Sequence, residues 1–118
     1  MDKEGGIMTL SEWAKVQVTR IIEEDRVREN YLQEIKGLGS MITQNGIYGT
    51  LAFYKVKINN KPAAETIISQ LNNLAEDYLN INNLDNFPEL SNSVYLRLQA
   101  LAIDAVSWLR RYADILLG

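Results

Sequence analysis

The sequence predicts an all-α fold, a compact bundle of about five helices, and three observations carry that prediction. Apolar residues recur at intervals of three and four over most of the chain, the spacing that lines one face of an α-helix. Helix start and stop signals divide the chain between those runs. With 118 residues, 47% of them hydrophobic, the chain is one domain long and has enough apolar surface for a core without covalent staples. A single helical domain over residues 1–118 is expected, with residues 1–8, which include Gly5 and Gly6, forming a flexible or non-native N-terminal segment.

Thr9 and Glu12 have capping-box spacing, the hydroxyl accepting from the third amide and the carboxylate reaching back, so the first helix starts near Leu10. Trp13, Ala14, Val18, Ile21 and Ile22 give it an apolar face. Residues 23–29 are highly charged, with Val27 their only core candidate, and carry the chain into the second helix. There Tyr31, Ile35, Leu38 and Ile42 keep helical spacing, while Gly37 and Gly39 mark a kink or a tight helix crossing. Asn45-Gly46 stops that helix, since both residues tolerate the left-handed conformation. The same pair also suits a hairpin turn, but its flanks repeat at three and four rather than at two.

Ile47, Leu51, Tyr54 and Ile58 then line a short helix with Ala52, Phe53 and Val56 on its other sides, the pattern of a central, buried element. Residues 59–62 are a loop, and Pro62 stands just before or at the first turn of the next helix. That helix carries the stripe Ala64, Ile67, Leu71, Leu74, Tyr78 and Ile81, and it ends in the Asn-rich residues 80–88. The last helix starts near Ser91 or Ser93 and runs almost to Gly118. Val94, Leu98, Leu101, Ala105, Trp108, Tyr112 and Ile115 alternate at four and three over three heptads. A second stripe, Leu96, Ile103 and Val106, is a partner interface if the first fills the core; the alternative is that both are buried mid-bundle.

Composition excludes much chemistry. Without cysteine there are no disulfides, thiolate nucleophiles or cysteine-ligated metals, and without histidine the commonest proton-transfer group and metal ligand is missing. No window approaches the roughly 18 apolar residues of a membrane span, and a cytoplasmic address without a membrane partner is the default expectation. Glu23-Glu24-Asp25 and Glu76-Asp77 are the dense carboxylate groups, but neighbours on a helix diverge by about 100° per residue and do not converge on a metal. No enzyme and no cofactor is therefore expected. A carboxylate-metal hydrolase built on Glu76 and Asp77 is the one enzymatic alternative.

Net charge is −3, unfavourable for a freestanding binder of polyanions. Its distribution is uneven. Residues 35–64 contain no acid but carry Lys36, Lys55, Lys57 and Lys61, whereas residues 62–96 contain no base but carry Glu65, Glu76, Asp77, Asp85 and Glu89. A basic end opposite an acidic side is one reading, serving either phosphate contact or head-to-tail association. Ordinary solvated surface is the other.

Two stretches carry a family resemblance. Residues 37–57, GLGSMITQNGIYGTLAFYKVK, join an apolar helix end to an Asn-Gly turn, then Thr-Leu-Ala-Phe and lysines. The C-terminal LQALAIDAVSWLRRYADILL repeats an Ala-Leu spacing before Trp-Leu-Arg-Arg-Tyr-Ala. Together they resemble the small subunit of the type III-B (Cmr) CRISPR effector complex, and the resemblance spans most of the chain. It implies a non-catalytic helical subunit of an antiviral ribonucleoprotein, stacked in several copies and helping to hold target RNA along the guide RNA. Its partners would be the other subunits of the complex, copies of itself and both RNAs through their backbones, with sequence read by base pairing. Lys55, Lys57 and Lys61 follow the family's central motif and are the implied RNA contacts, with Lys15 and Arg20 as further candidates. The alternatives are the type III-A small subunit, against which the Asn-Gly and Thr-Leu-Ala-Phe segment argues, and a protein-only helical adaptor.

Overall fold

A computed structural model describes residues 8–118. The N-terminal segment expected at residues 1–8 lies outside them except for Met8. Four α-helices follow in order, α1 (Leu10–Thr19), α2 (Asp25–Val56), α3 (Ala64–Leu79) and α4 (Asn92–Leu116), with a short 3-10 turn at Leu84–Asn86 before α4. No strand occurs among the described residues.

Local sequence accounts for most of these limits. Thr9 caps α1 as expected: its hydroxyl accepts from the Glu12 amide at 3.1 Å, and the Glu12 carboxylate accepts from the Thr9 amide at 3.1 Å. Asn80, at φ +56°, ends α3 in the left-handed conformation that Asn adopts at little cost. Ser91 caps α4 by accepting from the Val94 amide at 3.2 Å.

The all-α prediction holds, with four helices among the described residues where about five were expected. The two expected on either side of Asn45-Gly46 do part there, but they meet across a kink without a loop and together form α2. Gly46 leaves helical geometry alone, at φ +74° and ψ 170°, and the helix resumes at the next residue. A straight helix of 32 residues would be about 48 Å long at 1.5 Å per residue. The longest dimension of the molecule is 37 Å, so the break at Gly46 folds α2 into the globule.

No loop is needed there because α4 satisfies the backbone groups that the break frees. Gln99 accepts from the Ile47 amide at 3.2 Å and donates to the Ile42 carbonyl at 3.1 Å. The Tyr95 hydroxyl accepts from the Tyr48 amide at 3.2 Å. Tyr48 in turn donates to the Pro88 carbonyl and sets its ring edge-on to Tyr95, centroids 5.3 Å apart.

The core lies where α4 packs against α1 and α2, with α3 closing the other side of α2. On α4 the buried line is Leu98, Ala102, Ala105, Leu109 and Ala113. It differs from the heptad stripe read from the sequence: Ile115 is 71% exposed, and Val94, Leu101, Trp108 and Tyr112 are only half-buried. The two lines share Leu98 and Ala105, but the buried one is rotated about the helix axis toward Ala102, Leu109 and Ala113. Alanines on that face allow close helix approach.

The residue 46 conformation is nearly confined to glycine, and a Cβ there would sit 2.6 Å from the Tyr95 hydroxyl. Gly46→Ala should therefore cost about 2–3 kcal/mol and lower the melting temperature by about 10 °C. An unchanged melting temperature would show that the break does not depend on glycine. Burial pushes the Tyr31 and Tyr54 hydroxyls well above the ordinary tyrosine value; a hydrogen bond with Gln70 partly offsets this for Tyr31, and Glu34 adds to it for Tyr54. A raised folded-state value contributes stability that is fully present below about pH 10 and is lost as pH rises beyond it. In an alkaline absorbance titration, Tyr31→Phe or Tyr54→Phe should each delete a phenol that ionises only as the chain unfolds. Loss of a phenol titrating near pH 10 instead would contradict the burial assigned to that residue.

Candidate nucleic-acid interface and partner face

The candidate lysines lie at the end of α2 and in the loop after it, and each has a contact within the chain. Lys55 Nζ donates to the Asp85 carbonyl at 2.7 Å, lies 3.9 Å from the Asp85 carboxylate and sits over the Phe87 ring, 5.4 Å from its centroid. Lys57 lies over Phe53 at 5.9 Å. Lys61 donates to Glu34 Oε2 at 2.7 Å, and the other Glu34 oxygen accepts from the Tyr54 hydroxyl at 2.8 Å. Ion pairs on exposed groups contribute little, typically 0.2–1 kcal/mol, so the 3.9 Å contact with the Asp85 carboxylate adds little to the hydrogen bond that Lys55 makes with the Asp85 carbonyl. Lys61 is half-buried, and moving it would leave Glu34 and Tyr54 facing each other alone.

These contacts revise the expected separation of charge. The basic stretch of α2 and the acidic stretch after α3 are neighbours, because Asn72 of α3 accepts from the Asp85 amide at 3.0 Å and holds the 3-10 turn beside Lys55. Opposite charges attract across that seam, so the two stretches do not form opposite poles.

Lys15 is exposed on α1. Arg20 caps the C-terminal end of α1 and lines a polar cleft of about 280 Å³ against α3 with Glu24, Glu65 and Gln70. Gln70 is buried there, accepts from the Tyr31 hydroxyl at 2.8 Å and leaves its Nε2 without a partner. A second cleft, of about 290 Å³, is lined by Lys55, Ile58 and Asp85. Glu65 and Ser69 line both clefts, so Arg20 and Lys55 stand on either side of the first turns of α3. Charge clustering gave no sign of this, since the residues are far apart in sequence and only the packing of α3 brings them close.

The candidate partner stripe on α4 divides. Leu96 is 66% exposed and Ile103 37%, whereas Val106 is 4% exposed and belongs to the core. Val106 sits one residue beyond the buried Ala105, inside the arc that faces α2. Sequence reading also missed the groove that Ile103 and Val106 line with Lys36, Arg110 and Arg111, about 440 Å³ in volume between α2 and α4. It missed Phe87 as well, a 40% exposed aromatic on the loop before α4. Glu76 and Asp77 do not form a metal site: Asp77 accepts from the Trp13 indole at 3.2 Å, and no cluster of three potential ligands exists among the described residues. No helix among the described residues is long and apolar enough to cross a membrane.

Comparison with known proteins bears on this helical arrangement. No solved structure matches the chain significantly. A curated protein of Thermotoga maritima described as CRISPR system Cmr subunit Cmr5 is 36% identical, the match covering 93% of this chain and 86% of that protein. The model of the CRISPR-associated protein family Cas_Cmr5 matches residues 9–116, from the capping threonine of α1 to the last turn of α4. With that family model covering the whole helical fold, and a relative so similar over nearly all of its length, the chain belongs to the Cas_Cmr5 family of Cmr small subunits.

Proposed function

We propose that this chain is a non-catalytic small subunit of a type III-B CRISPR ribonucleoprotein, stacking in several copies and helping to hold target RNA along the guide RNA in antiviral defence within the cytoplasm. The observation that carries this reading is the family match across the entire fold. The absence of histidine and cysteine agrees with it, since the chain has neither the usual proton carrier nor a thiolate nucleophile.

RNA contact is assigned to the end of α2. Lys57 is held by a ring contact, and Lys55 by a ring contact, an ion pair and a hydrogen bond to the Asp85 carbonyl, with Lys61 beside them and Lys15 and Arg20 as outer contributors. Weak contacts of this kind add up along a filament of copies, which offsets the acidic net charge of each chain. The protein-only adaptor reading shares the helical fold but assigns no role to these lysines.

In a reconstituted complex with guide RNA and target, Lys57→Ala should weaken target binding a few-fold for every target sequence tested. The slope of log affinity against log salt should fall by about one for each phosphate-binding lysine replaced. Lys55→Ala combined with Lys57→Ala should weaken it further. Binding that is unchanged in both variants, together with no crosslink from RNA to this chain, would favour the adaptor reading.

A further inference from the structure

Phe87 stands in an unfavourable backbone conformation. Asn80, Asn83 and Phe87 all have positive φ, between 53° and 56°. Asparagine adopts this region readily, but a bulky aromatic residue there is an outlier. The strain does not bury the ring. Phe87 packs edge-on against Tyr48, centroids 5.3 Å apart, and stays 40% exposed, with the exposed Glu89 two residues on and Asp85 two residues before. The loop thus presents an aromatic knob with the exposed Glu89 beside it, while Asp85 is taken up by Lys55, which also lies over the ring at 5.4 Å. Strain retained at an exposed side chain points to a use for it beyond this chain.

The groove between α2 and α4 has complementary chemistry. Its floor includes Val106 and the partly exposed Ile103, and Lys36, Arg110 and Arg111 line it with a single acid, Asp114. Lys36 and Arg110 form no ion pair among the described residues, while Arg111 lies over the Trp108 ring at 4.6 Å. Its volume of about 440 Å³ is ample for an aromatic side chain and the backbone on either side of it.

The knob cannot enter the groove of its own chain. Through Tyr48 it sits beside Tyr95 near the start of α4, whereas the groove arginines lie 15 residues further along, about 22 Å at 1.5 Å per residue. We propose that Phe87 of one copy inserts into the groove lined by Ile103, Val106, Arg110 and Arg111 of a second copy, with Glu89 meeting the arginines. Knob and groove are different surfaces, as a heterologous, head-to-tail contact between copies requires. This rests on the stacking part of the proposed function and names the surfaces that carry it. RNA phosphate is the competing occupant of the groove. It would leave the apolar floor unused, whereas the knob uses both the floor and the cations.

Because the chain has no cysteine, introduced thiols report the contact without background. In complexes assembled from an equal mixture of Phe87→Cys and Ser107→Cys chains, mild oxidation should give a disulfide-linked dimer, and neither variant alone should give one. Glu89→Arg should weaken copy–copy association at least tenfold and Arg110→Glu should restore it, with melting temperatures showing that both variants fold. If amine crosslinkers join copies while the cysteine mixture does not link, this interface is wrong and stacking itself stands. Failure of every reagent to join copies overturns stacking as well. Crosslinks from target RNA to Arg110 or Arg111 in place of the dimer assign the groove to phosphate and overturn the proposal.

Discussion

The break in α2 at Gly46, sealed by side chains of α4, is the constraint on which the rest of the architecture depends. A helix interrupted by one residue loses hydrogen bonds on both sides of the interruption, and buried backbone groups left unpaired are costly. Gln99 takes one group from each side of the break, and Tyr95 takes the next amide. The same contacts fix where α4 crosses α2. Tyr48 then carries the arrangement outward, through its ring to Tyr95 and Phe87 and through its hydroxyl to Pro88. One glycine conformation thereby sets the bend of the longest helix, the position of the last helix and the conformation of the loop before it.

A second constraint holds the two halves of α2 together. Glu34 in the first half accepts from Tyr54 in the second half and pairs with Lys61 in the following loop, while Asn30 accepts from the Ala63 amide at 2.9 Å. These polar ties fold the end of α2 back beside its beginning and aim α3 along it. Lys61 is part of the tie, whereas Lys55 and Lys57 stand outside it, Lys55 held by Asp85 and Phe87 and Lys57 by Phe53.

The two proposed surfaces differ in origin. The lysine end of α2 is continuous in sequence and exists as soon as the helix forms. The groove beside Arg110 and the knob at Phe87 are composite, since each requires α4 to be seated on α2. Under the proposed stacking, the seating of α4 on α2 would hold knob and groove at a fixed separation.

Much of the fold was legible in the sequence. The α-class, the cap at Thr9, the start of α3 after Pro62 and most of the buried residues of α1 to α3 follow from periodicity and capping chemistry, which act over a few residues. The family was legible as well, because its motifs are local strings. Three features were decided only by tertiary structure. Asn45-Gly46 reads as a stop, and whether the helix resumes depends on donors and acceptors some 50 residues away in α4. Large apolar residues suggested a heptad register for α4, but close packing seated its alanines instead. Opposite charge blocks suggested opposite poles, yet folding placed Lys55 against Asp85. Sequence by itself determined what each segment can form, because that depends on neighbouring residues. Which face is buried, which break is bridged and which charge is neutralised are properties of contacts between distant segments, and those exist only once the chain has folded.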